Sequence, residues 1–209
     1  MNVNHLHIEA SSYCNARCPG CPRNGFGHAL PGLFKQSHLD LEIYNDLLIK
    51  YPDVQTILFC GNHGDPMMHP NILNFCEHKN IHYTIATNGG IGLSETYTQL
   101  AKLPVNIIFG IDGLEDTNHL YRQDVSWNKI MERAKWYIDA GGMAVWIYIV
   151  FKHNHHQIEQ ARQMASDEGM EFKLSKSSRW ETKPSKPRKG LPNQGDTMRL
   201  YKPRDEFCA

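Results

Sequence analysis

Cys14, Cys18 and Cys21 lie in the run Cys14-Asn15-Ala16-Arg17-Cys18-Pro19-Gly20-Cys21, and no other part of this sequence is so well suited to chemistry. Thiolates at C-x3-C-x2-C spacing are metal ligands. Two chemistries fit them. A zinc ion would take the three sulfurs plus a fourth ligand near tetrahedral geometry, for which His28 or His63 is available. A 4Fe–4S cluster would take them at three corners of one cube and leave one iron without a protein ligand. An open position separates a catalytic metal site from a structural one. Cys60, Cys76 and Cys208 are scattered, and the first two are expected to be small buried apolar residues. A disulfide scaffold would be a shorter chain with its cysteines spread as staples.

The elements that must position this loop follow from the apolar pattern. Short apolar runs predict strands over 5–9, 54–59, 81–86, 105–110 and 143–151, with a weaker one over 171–174. Amphipathic stretches predict helices over 39–50, with Leu39, Ile43, Leu47 and Leu48 on one face, and over 70–79, 95–103, 126–140 and 157–168. Strands that are nearly all apolar and alternate with helices make βαβ units and a parallel sheet. About six such units fit, fewer than the eight of a closed barrel of about 250 residues. The sheet is therefore either open and doubly wound or a partial barrel. In both, functional residues gather at the carboxyl ends of the strands. The cysteine triplet, Gly64-Asp65-Pro66, Thr87-Asn88-Gly89, Asp112-Gly113 and Lys152-His153-Asn154 all fall there.

C-x3-C-x2-C after the first strand, Gly64-Asp65-Pro66 after the second and Thr87-Asn88-Gly89 after the third together resemble the radical S-adenosylmethionine (SAM) superfamily. The resemblance runs from about Ile8 to about Leu174. The run from Phe109-Gly110-Ile111-Asp112-Gly113 to Thr117, with Tyr121-Arg122 behind it, resembles the subgroup that often carries a C-terminal SPASM or twitch domain. The resemblance implies an α/β partial (β/α)6 TIM-like barrel of parallel strands, with one 4Fe–4S cluster on Cys14, Cys18 and Cys21 and SAM chelating the open iron. It implies reductive cleavage of SAM to a 5′-deoxyadenosyl radical that abstracts hydrogen from a substrate. It also implies a flavodoxin or ferredoxin as electron donor, and a peptide or protein side chain as substrate. Gly64, Asp65, Thr87, Asn88, Asp112 and Asn154 become the expected SAM-side residues. Asp65 departs from the family's usual Glu and is one methylene shorter. Pro19 and Gly20 stand where members often place a bulky aromatic, so Tyr13 or Phe26 is the candidate for adenine packing.

Plainer roles stand beside these. Gly-Asp-Pro and Thr-Asn-Gly-Gly are ordinary turn formers, His153, His155 and His156 suit a solvated helix start, and Trp127, Trp136 and Trp146 suit a core. With 41% hydrophobic and 21% charged residues among 209, the chain is a folded domain rather than a disordered one. Lys+Arg and Asp+Glu balance at 22 each, giving no global attraction to a polyanion. No apolar run approaches the roughly 18 residues of a membrane span, and no signal peptide is visible. Clustered reduced thiols without an export signal place the protein in a cytoplasm. The organisation is thus a core domain over 1–174 and a Pro/Lys/Arg-rich tail over 175–209. The tail is a strap, a basic arm for nucleic acid or an acidic partner, or the threshold of a C-terminal auxiliary domain that would begin near Cys208. A nucleotide- or tRNA-modifying enzyme and a non-enzymatic zinc or iron–sulfur module are the alternatives.

Overall fold

The computed structural model describes residues 3–21 and 36–175; Phe26, His28, Cys208 and the tail expected over 175–209, beyond Ser175, lie outside them. Within them run β1 (His5–Ile8), α1 (Leu41–Lys50), β2 (Thr56–Phe59), β3 (His82–Thr87), α2 (Ser94–Leu100) and β4 (Val105–Gly110). There follow α3 (Asn118–Tyr121), α4 (Trp127–Asp139), β5 (Met143–Ile149), α5 (Ile158–Asp167) and β6 (Glu171–Ser175). All six strands are parallel and lie in the order β1-β2-β3-β4-β5-β6. Each crossover steps to the next neighbour, so the usual right-handed connections bring every helix onto one face. The order never reverses, as it must in a doubly wound sheet. Of the two expected architectures, the partial barrel is the one observed.

Burial follows from that one-sided cover. Ile57, Phe59, Tyr83, Ile85, Ile107, Phe109, Trp146 and Tyr148 are buried toward the helices, while their neighbours Leu58, Thr84, Ala86, Ile108, Val145 and Ile147 are half-buried on the other face. Strands expected to be buried throughout therefore keep one face partly open. Each large side chain on the covered face contributes about 1.5–3 kcal/mol of burial. Helix α4 answers with Ile130, Ala134 and Tyr137, at i, i+4 and i+7, and α5 with Ile158, Ala161 and Ala165.

Three expectations are corrected. The helix over 70–79 is instead two short 3₁₀ turns, Pro66–Met68 and Ile72–Cys76. Pro66 follows Asp65, whose carboxylate caps the Met67 amide at 2.9 Å, so the chain turns earlier and more tightly than the Pro70 signal indicates. Helix α1 turns in Tyr44, whose hydroxyl donates to the Phe75 carbonyl at 2.9 Å, and leaves Ile43 62% exposed. Strand β5 stops at Ile149, because Asn154 takes the Ile149 carbonyl and the Phe151 amide out of the ladder.

His69 links this region to the start of α1. Its Nε2 lies 2.9 Å from the Leu39 carbonyl, while the Asn71 amide donates to its Nδ1 at 3.1 Å, so the ring serves as a neutral imidazole. Burial pulls its pKa below the usual 6.5. The unfolded chain then binds the proton more readily, so this contribution to stability is whole above about pH 6.5 and is lost as pH falls through the folded pKa. Thermal midpoints of the wild type should drop between pH 7 and pH 5 more steeply than those of His69→Gln. Parallel curves for the two proteins would contradict this.

Candidate metal and cofactor site

The cysteine loop leaves the end of β1 and is tied down from several sides. The Leu39 amide donates to the Ala10 carbonyl at 2.9 Å, and the Asp65 amide to the Tyr13 carbonyl at 2.7 Å. Gly64 packs so closely on this loop that a Cβ there would lie 1.9 Å from the Ser11 carbonyl oxygen. Its lack of a side chain thus serves chain packing. From the other flank, the Arg17 amide donates to the Gln123 carbonyl at 3.1 Å, and the Arg17 side chain pairs with Asp124 on the surface. Asp124 sits at φ 64°, a left-handed conformation that Asp tolerates in turns.

Two polar side chains reach the thiols themselves. Asn88, at the end of β3, donates from Nδ2 to Cys14 Sγ at 3.5 Å and to Asn15 Oδ1 at 3.0 Å. Arg122, just after α3, directs Nη1 at Cys18 Sγ, 4.0 Å away. Cys18 is buried, while Cys14 and Cys21 are half-buried. Burial pushes the Cys18 thiol up, and Arg122 opposes that shift. Among the described residues, no three Cys, His, Asp or Glu side chains converge as ligands of one ion.

The other expected site residues are gathered at the same edge, with their polar atoms engaged inside the protein. Asp65 is buried and accepts from Thr87 Oγ1 at 2.8 and 3.0 Å, from the Asn88 amide at 2.8 Å and from the Met67 amide. Burial pushes its carboxyl up and those donors pull it back. Asp112 is fully buried; Oδ2 accepts from Arg122 Nε at 2.7 Å and Oδ1 from the Ile149 amide at 2.8 Å. Asn154 is also fully buried and donates from Nδ2 to the Asp112 and Ile149 carbonyls. Asp112 and Asn154 therefore lash the ends of β4 and β5 together, as Asp65 and Thr87 lash β2 to β3. Burial works against the charge on Arg122, but Asp112 and Cys18 outweigh it and hold the guanidinium protonated.

Some residues sit apart from this set. Tyr13 packs its ring on His38 at 4.7 Å. His155 and His156 lie in a 3₁₀ turn, His155–Gln157, leading into α5, and His153 stacks on Phe151. Cys76 is buried, whereas Cys60 is half-buried and donates to Glu9 Oε1 at 3.2 Å; burial, reinforced by that carboxylate, pushes its thiol up to about 11. Glu9 also accepts from the Asn62 and His63 amides, which shapes the loop after β2. Sequence reading gave Glu9 and Asp124 no role, since their partners lie 51 to 54 and 107 residues away.

The family model described as the radical SAM superfamily matches residues 8–165. The chain belongs to the radical SAM superfamily. Radical SAM proteins use a 4Fe–4S cluster and SAM. A curated relative, the tungsten-containing aldehyde ferredoxin oxidoreductase cofactor-modifying protein of Pyrococcus furiosus, is 23% identical over an alignment of 190 residues that covers 82% of this chain and 51% of that protein. The fold is that of Streptococcus suis SuiB, solved bound to its precursor peptide SuiA, with a TM-score of 0.69, 21% identity and 85% of this chain covered against 40% of SuiB. It is also that of anSMEcpe, solved with bound SAM, with a TM-score of 0.66, 16% identity and 83% of this chain covered against 49% of that one. The chain thus spans about half the length of this curated relative. The chemistry of the donors suits the family's anionic cluster: Asn88 and the largely shielded guanidinium of Arg122 set N–H groups against two of the three loop thiols, Cys14 and Cys18. No helix among the described residues is long and apolar enough to cross a membrane.

Proposed function

We propose that this chain is the core of a radical SAM enzyme acting on a peptide or protein side chain, with Cys14, Cys18 and Cys21 holding one 4Fe–4S cluster. The observation that carries this reading is the cysteine loop itself, docked at the carboxyl edge of a six-stranded partial barrel and gripped by Asn88 and Arg122. A cluster held by Cys14, Cys18 and Cys21, with SAM beside it, would supply the radical chemistry for hydrogen abstraction from the substrate. The protein's own residues prepare the place for it. Gly64 lets the loop pack on the end of β2, and Asp65 with Thr87 fixes the backbone of the Thr87-Asn88-Gly89 turn. Asp112 and Asn154 fix the ends of β4 and β5, so these residues shape the SAM-side rim by holding backbone rather than by presenting free polar atoms. The half-open face of the sheet admits substrate toward that rim. A low-potential flavodoxin or ferredoxin in the cytoplasm completes the system.

The peptide reading draws support from the likeness to SuiB, which was solved with a precursor peptide. A binding panel of peptides and RNAs at two salt concentrations tests it. Peptide binding that changes little with salt is expected. Tight RNA binding whose affinity falls steeply with salt, as counterion release requires, would replace it with a nucleic-acid substrate.

A further inference from the structure

We propose that Arg122 and Asn88 are positioning residues that set the reduction potential of the cluster, by donating N–H bonds to Cys18 and Cys14. The proposal rests on the reading of the three cysteines as cluster ligands and adds to it a task for two residues that do not ligate.

The geometry carries it. Asn88 reaches Cys14 Sγ at 3.5 Å while its backbone amide is pinned on Asp65, so the side chain is aimed by the same turn that ends β3. Arg122 is aimed more tightly. Asp112 holds its Nε at 2.7 Å, and that carboxylate is fully buried and anchored in turn on the Ile149 amide. Gly110 leaves the space the guanidinium occupies, since a Cβ there would lie 2.5 Å from Arg122 Nη2. A fixed, largely shielded cation thus faces one thiolate and a fixed amide faces another.

Reduction brings one electron from an external donor and adds one negative charge to the cluster and its thiolates. A positive charge and N–H donors held beside the sulfurs favour that more negative state, and their removal makes the potential more negative. Arg122 contributes more than Asn88, because it brings a full charge in a site only partly open to water. Lysine at 122 keeps the charge and can pair with Asp112, but has no fork to span both Asp112 and Cys18.

The test reconstitutes the full chain anaerobically with iron and sulfide and titrates it potentiometrically with dithionite, without SAM, reading the reduced cluster by electron paramagnetic resonance. Wild type, Arg122→Lys, Arg122→Gln and Asn88→Ala are compared with Arg162→Gln on exposed α5 as control. At the wild-type midpoint, the ratio of reduced to oxidised cluster should fall about tenfold in Arg122→Gln, or about 59 mV for one electron. Smaller falls of the same sign are expected in Arg122→Lys and Asn88→Ala, and none in the control. Iron content is measured on every sample and separates the two ways of failing. Wild-type protein that takes up no cluster overturns the underlying reading together with the proposal. Complete clusters at wild-type potential in all three site variants overturn this assignment alone.

Discussion

Changing Cys14, Cys18 and Cys21 together to Ala should take iron and sulfide incorporation from about four of each per chain to near zero. The fold should survive. Among the ties that hold the loop, Leu39 to Ala10, Asp65 to Tyr13 and Arg17 to Gln123 run through backbone, and none of these needs a thiol. The loss should therefore be one of metal and not of structure: the brown chromophore disappears while far-ultraviolet circular dichroism is kept. Metal analysis on anaerobically reconstituted protein checks it. One zinc per wild-type chain, or iron retained by the triple variant, would contradict the assignment.

The second large effect concerns stability. Asp112→Asn should cost about 3–5 kcal/mol, because it strands the Arg122 charge, only 18% exposed, opposite an amide. Asp112 is the sole acid paired with that guanidinium among the described ion pairs, and its carboxylate is fully shielded. Against a total stability of about 5–15 kcal/mol for an ordinary domain, this is a substantial fraction. Urea unfolding of the metal-free protein reads it directly, and the thermal midpoint should fall by roughly 10 °C. Adding Arg122→Met to Asp112→Asn should recover part of the loss, since the stranded charge goes with it. A cost below about 1 kcal/mol for the single variant would show that water reaches the pair.

Much of this architecture was written in local pattern. Six apolar runs match six strands, and the amphipathic stretch over 126–140 is α4, whose buried side is Ile130, Ala134 and Tyr137. The partial barrel came from family resemblance, since an alternation of strands and helices does not say in which order the strands lie side by side. Periodicity failed at 66–76, where Asp65 caps a tight 3₁₀ turn over Pro66–Met68 and a second 3₁₀ turn, Ile72–Cys76, takes the place of the expected helix. It also failed at Ile43, because the stripe of α1 passes through Tyr44.

The site was legible by residue type more than by role. Asp65, Asp112 and Asn154 stand at the strand ends where ligand contacts were expected, and each also directs polar atoms to the end of a neighbouring strand. Arg122 entered the sequence reading as part of a motif with no task attached. Its task becomes visible only when the chain brings it to Cys18 across 104 residues, a pairing no local window contains.

The central claim is that this core binds SAM on a three-cysteine cluster and cleaves it. Reconstituted protein given dithionite and SAM under anaerobic conditions, with 5′-deoxyadenosine quantified against the Cys14/Cys18/Cys21→Ala variant, tests that most directly. The expected result is 5′-deoxyadenosine from the wild type alone, in step with its iron content. A full cluster that yields no 5′-deoxyadenosine with any reductant would contradict the claim.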